Sequence, residues 1–388
     1  MSEPVDFLTS VNSEANELMG MGLTALRCEP SDRRGRGVIG RAGRFSRQAV
    51  RAFVAAAVVC ALVIGLASAY YILRQTGRSA LTSHIELAAP SDAAAPVADE
   101  GETIVYNGVT CCRRASVLNI LCLGVDRTEA AIASGLDRAY GEQGQADTIF
   151  LAALDTEAGT LRLLNLSRDT MAAVDVYNTD GEYVSTDTMQ LCLAYAYGGG
   201  DDEGCLNVAK SVSRLLYGLP VDAYIALDLP AVSILNDAIG GVEVDVLEDL
   251  SDRDPSLTEG AHVLLKGNLA EIYVRSRNYG LLEANSLRMA RQRQYVTAFF
   301  AAASAAVSED VTVALTLYRA ARSYLHTSLG LSELLYLASL ASDVGFTADD
   351  IVTAAGTLEQ DGDYARFTID EDALLAAIAD IYYEPLEA

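Results

Sequence analysis

The residues with most chemistry to offer lie in one short stretch, Tyr273 to Gln294, which reads YVRSRNYGLLEANSLRMARQRQ. It holds five arginines (Arg275, Arg277, Arg288, Arg291, Arg293) against a single acid, Glu283. The 388-residue chain as a whole carries a formal charge of -25. Cations gathered this closely repel one another unless something negative sits among them. Arg275 and Arg277 are spaced i, i+2 in a β-like run, which would point both to one face of a strand. Arg288, Arg291 and Gln292 are spaced i, i+3, i+4, one face of a helix. Guanidinium groups offered by a strand end and a helix start would grip a phosphate or pyrophosphate in bidentate fashion. A solvated basic face paired with nearby carboxylates fits the same spacing, and composition alone leaves both readings open.

Two carboxylates and another arginine stand further upstream. Asp126 ends LCLGVD, just past a buried-strand pattern, and Asp147 opens the next one in QADTIF. In open α/β sheets ligands bind in the crevice at the carboxyl ends of strands. Two carboxylates meeting there would suit Mg²⁺, which takes one or two carboxylates with phosphate oxygens and water. The plainer alternative is that each caps a neighbouring turn. Arg168, in Ser167-Arg168-Asp169-Thr170, follows a third strand pattern and would face the same crevice, with Asp169 or Thr170 as a cap; a surface Arg–Asp pair is the alternative. There is no P-loop, no G-x-S-x-G and no H-E-x-x-H. The three histidines, His84, His262 and His326, all fall away from these candidates, which argues against Ser-His-Asp hydrolysis.

The elements that must position these side chains read as α/β. Strands are expected over Val117–Leu123, Thr148–Leu154, Leu161–Leu166, Asp222–Leu229, Val242–Val246 and Ile272–Arg275. Helices are expected over Asn207–Leu216, Ala231–Ile239 and Ser286 to about Ser304. Alternation of this kind predicts a layered α/β/α domain with a central mixed sheet over residues 111–305. Residues 306–388 read as a helix-rich extension packed on it, with a short strand near Tyr364–Ile369 and a last helix from Glu371 to about Tyr383.

Composition bounds the rest. The chain is 51% hydrophobic, enough for a sizeable core, and 26 of its 28 basic residues are Arg. The net charge repels a polyanion, so nucleic acid is not an expected partner. Residues 1–78 hold ten Arg and six acids, leaving 18 basic against 47 acidic residues beyond. Ala52 to Leu73 is 22 residues without a charge. At about 1.5 Å per residue it spans roughly 33 Å, the thickness of a hydrocarbon core. The pattern predicts an Arg-rich cytoplasmic tail (1–51), one transmembrane helix (52–73), and an Ala/Pro/Ser-rich extracytoplasmic stalk (74–110), oriented by the arginines. The exported part carries Cys111, Cys112, Cys122, Cys192 and Cys205. Without a C-x-x-C, metal and redox readings are poor; outside the cell a disulfide can form, with Cys192–Cys205 closing a plausible loop, and Cys122 reads as a small hydrophobe in a strand.

Seven ordered blocks (LNILCLGVD, QADTIFLAALD, LLNLSRDTM, LAYAYGGG, LNDAIGGVEV, EGAHVLLKGNLAEIYVRSR and LRMARQRQY) resemble the LytR-CpsA-Psr family over about residues 118–300, in its clostridial-type branch. The resemblance implies a membrane-anchored envelope enzyme of the kind found mostly in Gram-positive bacteria. Such proteins transfer an anionic glycopolymer, of teichoic acid or capsule type, from an undecaprenyl-pyrophosphate carrier to peptidoglycan. It implies Asp126 and Asp147 as Mg²⁺ ligands, and Arg168, Arg275 and Arg277 as catalytic pyrophosphate-binding arginines. Arg288 and Gln292 complete the head-group site, and an apolar pocket takes the prenyl chain; the helix faces Val208–Leu216 and Ala231–Ile239 are candidates for its walls. Two head-group positions depart from the family: Gln145 stands where Arg is frequent, and Asn285 where Asp is frequent. The first loses a phosphate contact and the second a carboxylate that could orient an arginine or serve as base, so reduced activity is expected and inactivity does not follow. A non-catalytic binder of polyprenyl-linked wall precursors, or an envelope regulator, is the alternative.

Overall fold

The computed structural model describes residues 102–127, 144–277, 284–310, 312–341, 344–362 and 364–386. The expected tail, transmembrane helix and most of the stalk lie outside the described residues. Among those that are described, no helix is long and apolar enough to cross a membrane.

The stalk boundary at 110 runs through structure. Strands β1 (Thr103–Tyr106) and β2 (Val109–Arg113) form a hairpin closed by Asn107-Gly108, both at positive φ. That pair of left-handed residues makes the tight turn whose twist matches the strands it joins. Strands β3 (Val117–Val125), β4 (Ala146–Asp155) and β5 (Thr160–Leu166) follow as an antiparallel meander. A β6–β7 hairpin (Met171–Tyr177, Tyr183–Gln190) leads to α1 (Leu193–Tyr197), α2 (Asp201–Leu215), β8 (Ala223–Asp228) and α3 (Pro230–Ala238). A second hairpin, β9 (Val242–Asp245) and β10 (His262–Leu265), precedes α4 (Asn268–Arg275) and the 26-residue α5 (Ala284–Glu309). The chain closes with α6 (Thr312–Ala321), β11 (Leu325–Thr327), α7 (Leu331–Ala341), β12 (Ile351–Thr353), β13 (Gly356–Asp361), β14 (Tyr364–Ile369), α8 (Glu371–Tyr382) and β15 (Tyr383–Pro385).

The central sheet is mixed, in the order β11-β8-β3-β4-β5-β12. Its strands are buried on both faces, and side-chain alternation sorts them into two cores. Leu121, Leu123, Ile149, Leu151 and Leu164 face α2 and α8 through Val208, Val212, Leu216, Ile378 and Tyr382. Ile120, Phe150, Ala152 and Leu163 face the other way, onto Val296 and Phe300 of α5 and Leu334 and Leu337 of α7. Cys122 packs on this second face as a small hydrophobe, and burial pushes its thiol up to about 12. The expected α/β layering with a central mixed sheet is therefore observed.

Three expectations change. Ile272–Arg275 is the end of helix α4, not a strand. Its buried residues are Ala270, Tyr273 and Val274, spaced i, i+3, i+4. The β-forming Ile-Tyr-Val run misleads because propensity yields to the periodicity of burial. Secondly, residues 306–388 are woven into the sheet: β11 and β12 are its two edge strands, and β15 pairs with β2. Three-residue strands carry no readable period, and short edges are how sheets avoid further pairing. Lastly, Cys192 and Cys205 are not bridged; the five described cysteines are all free. The Cys192 sulfur lies 3.9 Å from Gln145 Oε1, while Cys205, on the buried face of α2, is sealed in the core.

Candidate active site

Strands β3, β5, β8 and β12 run in one direction and β4 and β11 in the other. The carboxyl ends of the first four and the amino ends of the other two therefore share one edge of the sheet. Asp126 follows β3, Asp147 is the second residue of β4, Ser167 to Asp169 follow β5, and Asp228 ends β8. Residues far apart in sequence are brought together by strand direction alone.

Asp147 is the hub. Its Oδ2 accepts from Arg288 Nη1 (2.7 Å) and Arg277 Nη2 (3.2 Å), and its Oδ1 pairs closely with Arg168. Arg288 Nη2 also donates to the Asp147 carbonyl (3.2 Å) and to Asn285 Oδ1 (2.8 Å). Asn285 passes the chain of bonds on: its Nδ2 donates to Asp169 Oδ2 at 2.6 Å and Ser167 Oγ at 3.3 Å. Arg168 leans on Asp169 (3.5 Å) and donates to the Gln145 side-chain oxygen. Gln145 in turn ties Asp126, its N–H donating to Asp126 Oδ1 (2.7 Å) while its carbonyl accepts the Asp126 N–H (3.1 Å). Thus Asp126, Gln145, Asp147, Arg168, Arg277, Asn285 and Arg288 form one connected group.

Three guanidiniums here face three carboxylates, Asp126, Asp147 and Asp169, and burial penalises charge of both signs. Arg288 is 1% exposed, and its guanidinium is pushed down to about 8, first by burial and then by Arg277 and Arg168. Its Nε is buried without a hydrogen-bond partner. Asp169, also buried, is raised above the ordinary carboxylate value because desolvation outweighs Arg168, Arg277 and Arg288. Like charges held together at low dielectric are costly unless a counter-ion joins them.

Two expected members stand elsewhere. Arg275 ends α4 with its side chain 52% exposed and pairs with Glu271 at 3.5 Å, one helical turn back. Because 275 closes a helix and 277 lies beyond it, the two do not share a strand face, and only Arg277 reaches Asp147. Gln292 is buried and donates to the Val274 carbonyl (3.2 Å). Arg291 does a similar service, bonding the Tyr273 and Ser276 carbonyls and Glu248 (2.7 Å). Both cap the C-terminal turn of α4, whose last carbonyls lack helical partners, and so fix the chain leading to Arg277. Arg293 donates to Thr353 Oγ1 (3.2 Å).

A cavity of about 290 Å³ adjoins the group at Ser167 and Asn285 and runs between α5 and the β13–β14 hairpin, past Met289, Arg293, Leu358 and Phe367. The helix faces expected to wall an apolar pocket do not line it. Val208, Val212 and Leu216 are fully buried in the closed core, and α3 packs on α4 and α6. His326, expected away from the site, stands on β11 with Nε2 2.6 Å from Arg127 Nη2. Arg127, Asp228 and the burial of Asp169 were not anticipated. The available signal was a charged pair at two strand exits, Asp126-Arg127 and Arg168-Asp169.

Comparison with known proteins bears on the fold and the family. The chain is 26% identical over 223 residues to the polyisoprenyl-teichoic acid–peptidoglycan teichoic acid transferase TagV of Bacillus subtilis, covering 56% of this chain and 53% of that protein. It is 27% identical over 180 residues to TagU, the transferase of the same name from Halalkalibacterium halodurans, covering 46% and 51% respectively. The chain thus spans about half the length of the curated relatives it matches. The crystal structure of B. subtilis TagV superposes with a TM-score of 0.51 at 20% identity, over 68% of this chain and 96% of that one, which supports the fold. The LytR-CpsA-Psr family model matches residues 84–377, and on that match the chain belongs to the LytR-CpsA-Psr family.

Proposed function

We propose that this protein is a membrane-anchored envelope phosphotransferase. It would move an anionic glycopolymer, of teichoic acid or capsule type, from a polyprenyl-pyrophosphate carrier to peptidoglycan. The observation that carries the reading is the convergence of Arg168, Arg277 and Arg288 on the single carboxylate of Asp147. Three guanidinium groups gathered at one point suit a pyrophosphate, which each can grip through paired N–H donors. The relatives' names point to the same substrates. The uncharged run 52–73 behind an Arg-rich segment supports a single span with the catalytic part outside.

In this reading Arg168, Arg277 and Arg288 turn from Asp147 to the pyrophosphate oxygens. A sugar hydroxyl of the acceptor attacks the phosphorus that bears the glycopolymer; the bond to the bridging oxygen breaks and polyprenyl phosphate leaves. The arginines stabilise charge as it develops on that leaving group. Asp126, half-buried at the β3 exit, takes the hydroxyl proton. Among the described residues no set of three or more His, Cys, Asp or Glu side chains is arranged to hold a metal. A two-carboxylate site fits an ion that shares its shell with phosphate oxygens. Asp126 and Asp147 would hold Mg²⁺, which when bound offsets the pyrophosphate charge. The cavity bordering Ser167 and Asn285 would receive the first part of the prenyl chain.

Neutral amides at Gln145 and Asn285 favour a second reading, a protein that holds the lipid-linked polymer without turning it over. One assay separates the two. Full-length protein in detergent is given a short prenyl-pyrophosphate-linked saccharide with and without Mg²⁺, and prenyl phosphate release is followed. Release by the wild type that is lost in Asp126→Ala supports transfer; equal traces sink it.

A further inference from the structure

At the exit of β3 two adjacent charged side chains part company. A register shift between Gly124 and Val125 precedes the fork, and such bulges re-aim the side chains that follow. Asp126 turns towards β4 and the Gln145 N–H. Arg127 turns the other way, towards β8 and β11. Its Nε and Nη2 donate to the two oxygens of Asp228, at 2.8 and 2.9 Å, and its Nη1 pairs with Asp201.

Several independent features close on that guanidinium. Asp228 is 1% exposed, so the fork-to-fork pair is desolvated on one side. Arg127 Nη2 lies 2.6 Å from His326 Nε2, which also stands 3.5 Å from Asp228 Oδ2. Asp201 sits at φ +46°, an uncommon backbone for a non-glycine residue, with its N–H donating to the Tyr195 hydroxyl at 2.9 Å. Gly144 packs over both branches. A Cβ there would fall 2.8 Å from Arg127 Cγ and 3.4 Å from Asp126 Oδ1.

We propose that Arg127 is the positioning residue for Asp126, clamped from the far side by Asp228 and by the imidazole of His326. One peptide bond separates the two residues, so a guanidinium held by three partners fixes the backbone from which the Asp126 carboxylate projects. Proton transfer needs that carboxylate within hydrogen-bond reach of the hydroxyl, and small displacements are expensive. The catalytic consequence rests on the transferase reading above; the positioning itself does not.

The test uses full-length protein in detergent and two measurements. One is hydrogen exchange at the Gln145 amide, which Asp126 Oδ1 accepts, and the other is turnover of the prenyl-pyrophosphate saccharide. His326→Leu is expected to speed exchange at Gln145 by about tenfold, the size of one hydrogen bond to a charged group. It should lower kcat by a similar factor with KM unchanged, because Arg168, Arg277 and Arg288 are untouched. His326→Gln, whose side-chain amide can reach Arg127 or Asp228 in the same place, should restore both. Should His326→Leu not fold, Arg127→Lys, which keeps the charge but loses the fork, must show the same faster exchange. Unchanged exchange at Gln145 in the folded variants, or His326→Gln as impaired as His326→Leu, overturns the proposal. Faster exchange in a protein whose wild type shows no turnover upholds the positioning and sinks the transferase reading.

Discussion

Two groups of charge stand on the same edge of the sheet and are built in opposite proportions. Around Asp147 three guanidiniums share one carboxylate; around Arg127 two carboxylates share one guanidinium. Burial opposes the charge in both. In the first group the neighbours add to that penalty, and Arg288 is driven down to about 8. In the second the Asp228 hydrogen bond outweighs burial, and the Arg127 guanidinium is held above its ordinary value. The first group holds a buried cation at a cost and suits a ligand that brings a further anion to it. The second is complete in itself and suits a clamp. The same residue types serve binding or rigidity according to their ratio.

The contrast can be broken by mutation. Arg127→Met leaves Asp228 buried without its cation and is expected to cost about 3–5 kcal/mol of stability, the penalty for breaking a buried pair from one side. Urea unfolding measures it; a cost below about 1 kcal/mol would show that the clamp is not closed. Arg288→Met should behave differently. Asp147 keeps Arg168 and Arg277, and the lost cation is one the site disfavours, so stability should stay within about 1 kcal/mol of wild type. Affinity for inorganic pyrophosphate, read by calorimetry, should nevertheless fall roughly 10- to 100-fold. Unchanged affinity would remove Arg288 from the binding group.

The smallest effect is one of pH, and the two groups predict opposite signs. Asp169 is raised on folding, chiefly by burial, so its contribution is full below its unfolded value near 4 and is lost as pH rises through the folded value. Asp228 is lowered: burial opposes the shift, but His326 and Arg127 prevail. Its contribution is present above about pH 4 and is lost as pH falls through the folded value. Relative to wild type, Asp169→Asn should therefore gain in Tm as pH rises, and Asp228→Asn should gain as pH falls. Parallel curves for the two variants would erase the distinction.

Much of the connected group was legible before the fold. Asp126, Asp147, Arg168 and Arg288 are in the connected group, because strand exits and helix starts are readable from hydrophobic runs and the residues that end them; Gln145 and Asn285 were reached through the family resemblance, and Arg277 through a strand pattern that proves to be a helix end. Arg275 was misplaced because a four-residue apolar run does not tell a strand from a helix end. Gln292 and Arg291 share the right helix but turn to the carbonyls of α4. That choice depends on where α4 ends and so could not be read locally. Arg127, Asp228 and His326 were out of reach for a related reason: the clamp spans 199 residues from Arg127 to His326, and β11, which delivers the histidine, is three residues long.

The sequence by itself determined the layered α/β plan, the buried strands and the presence of a cation-rich stretch in an anionic chain. Hydrophobic periodicity and charge count are local quantities, and they survive without knowledge of partners. Only the tertiary structure decided what the arginines of Tyr273–Gln294 do. One faces solvent, two stand on Asp147, one caps a helix, and one bonds a threonine beside the cavity. The division follows from strand order and helix ends, which set the distances between residues that the sequence keeps apart.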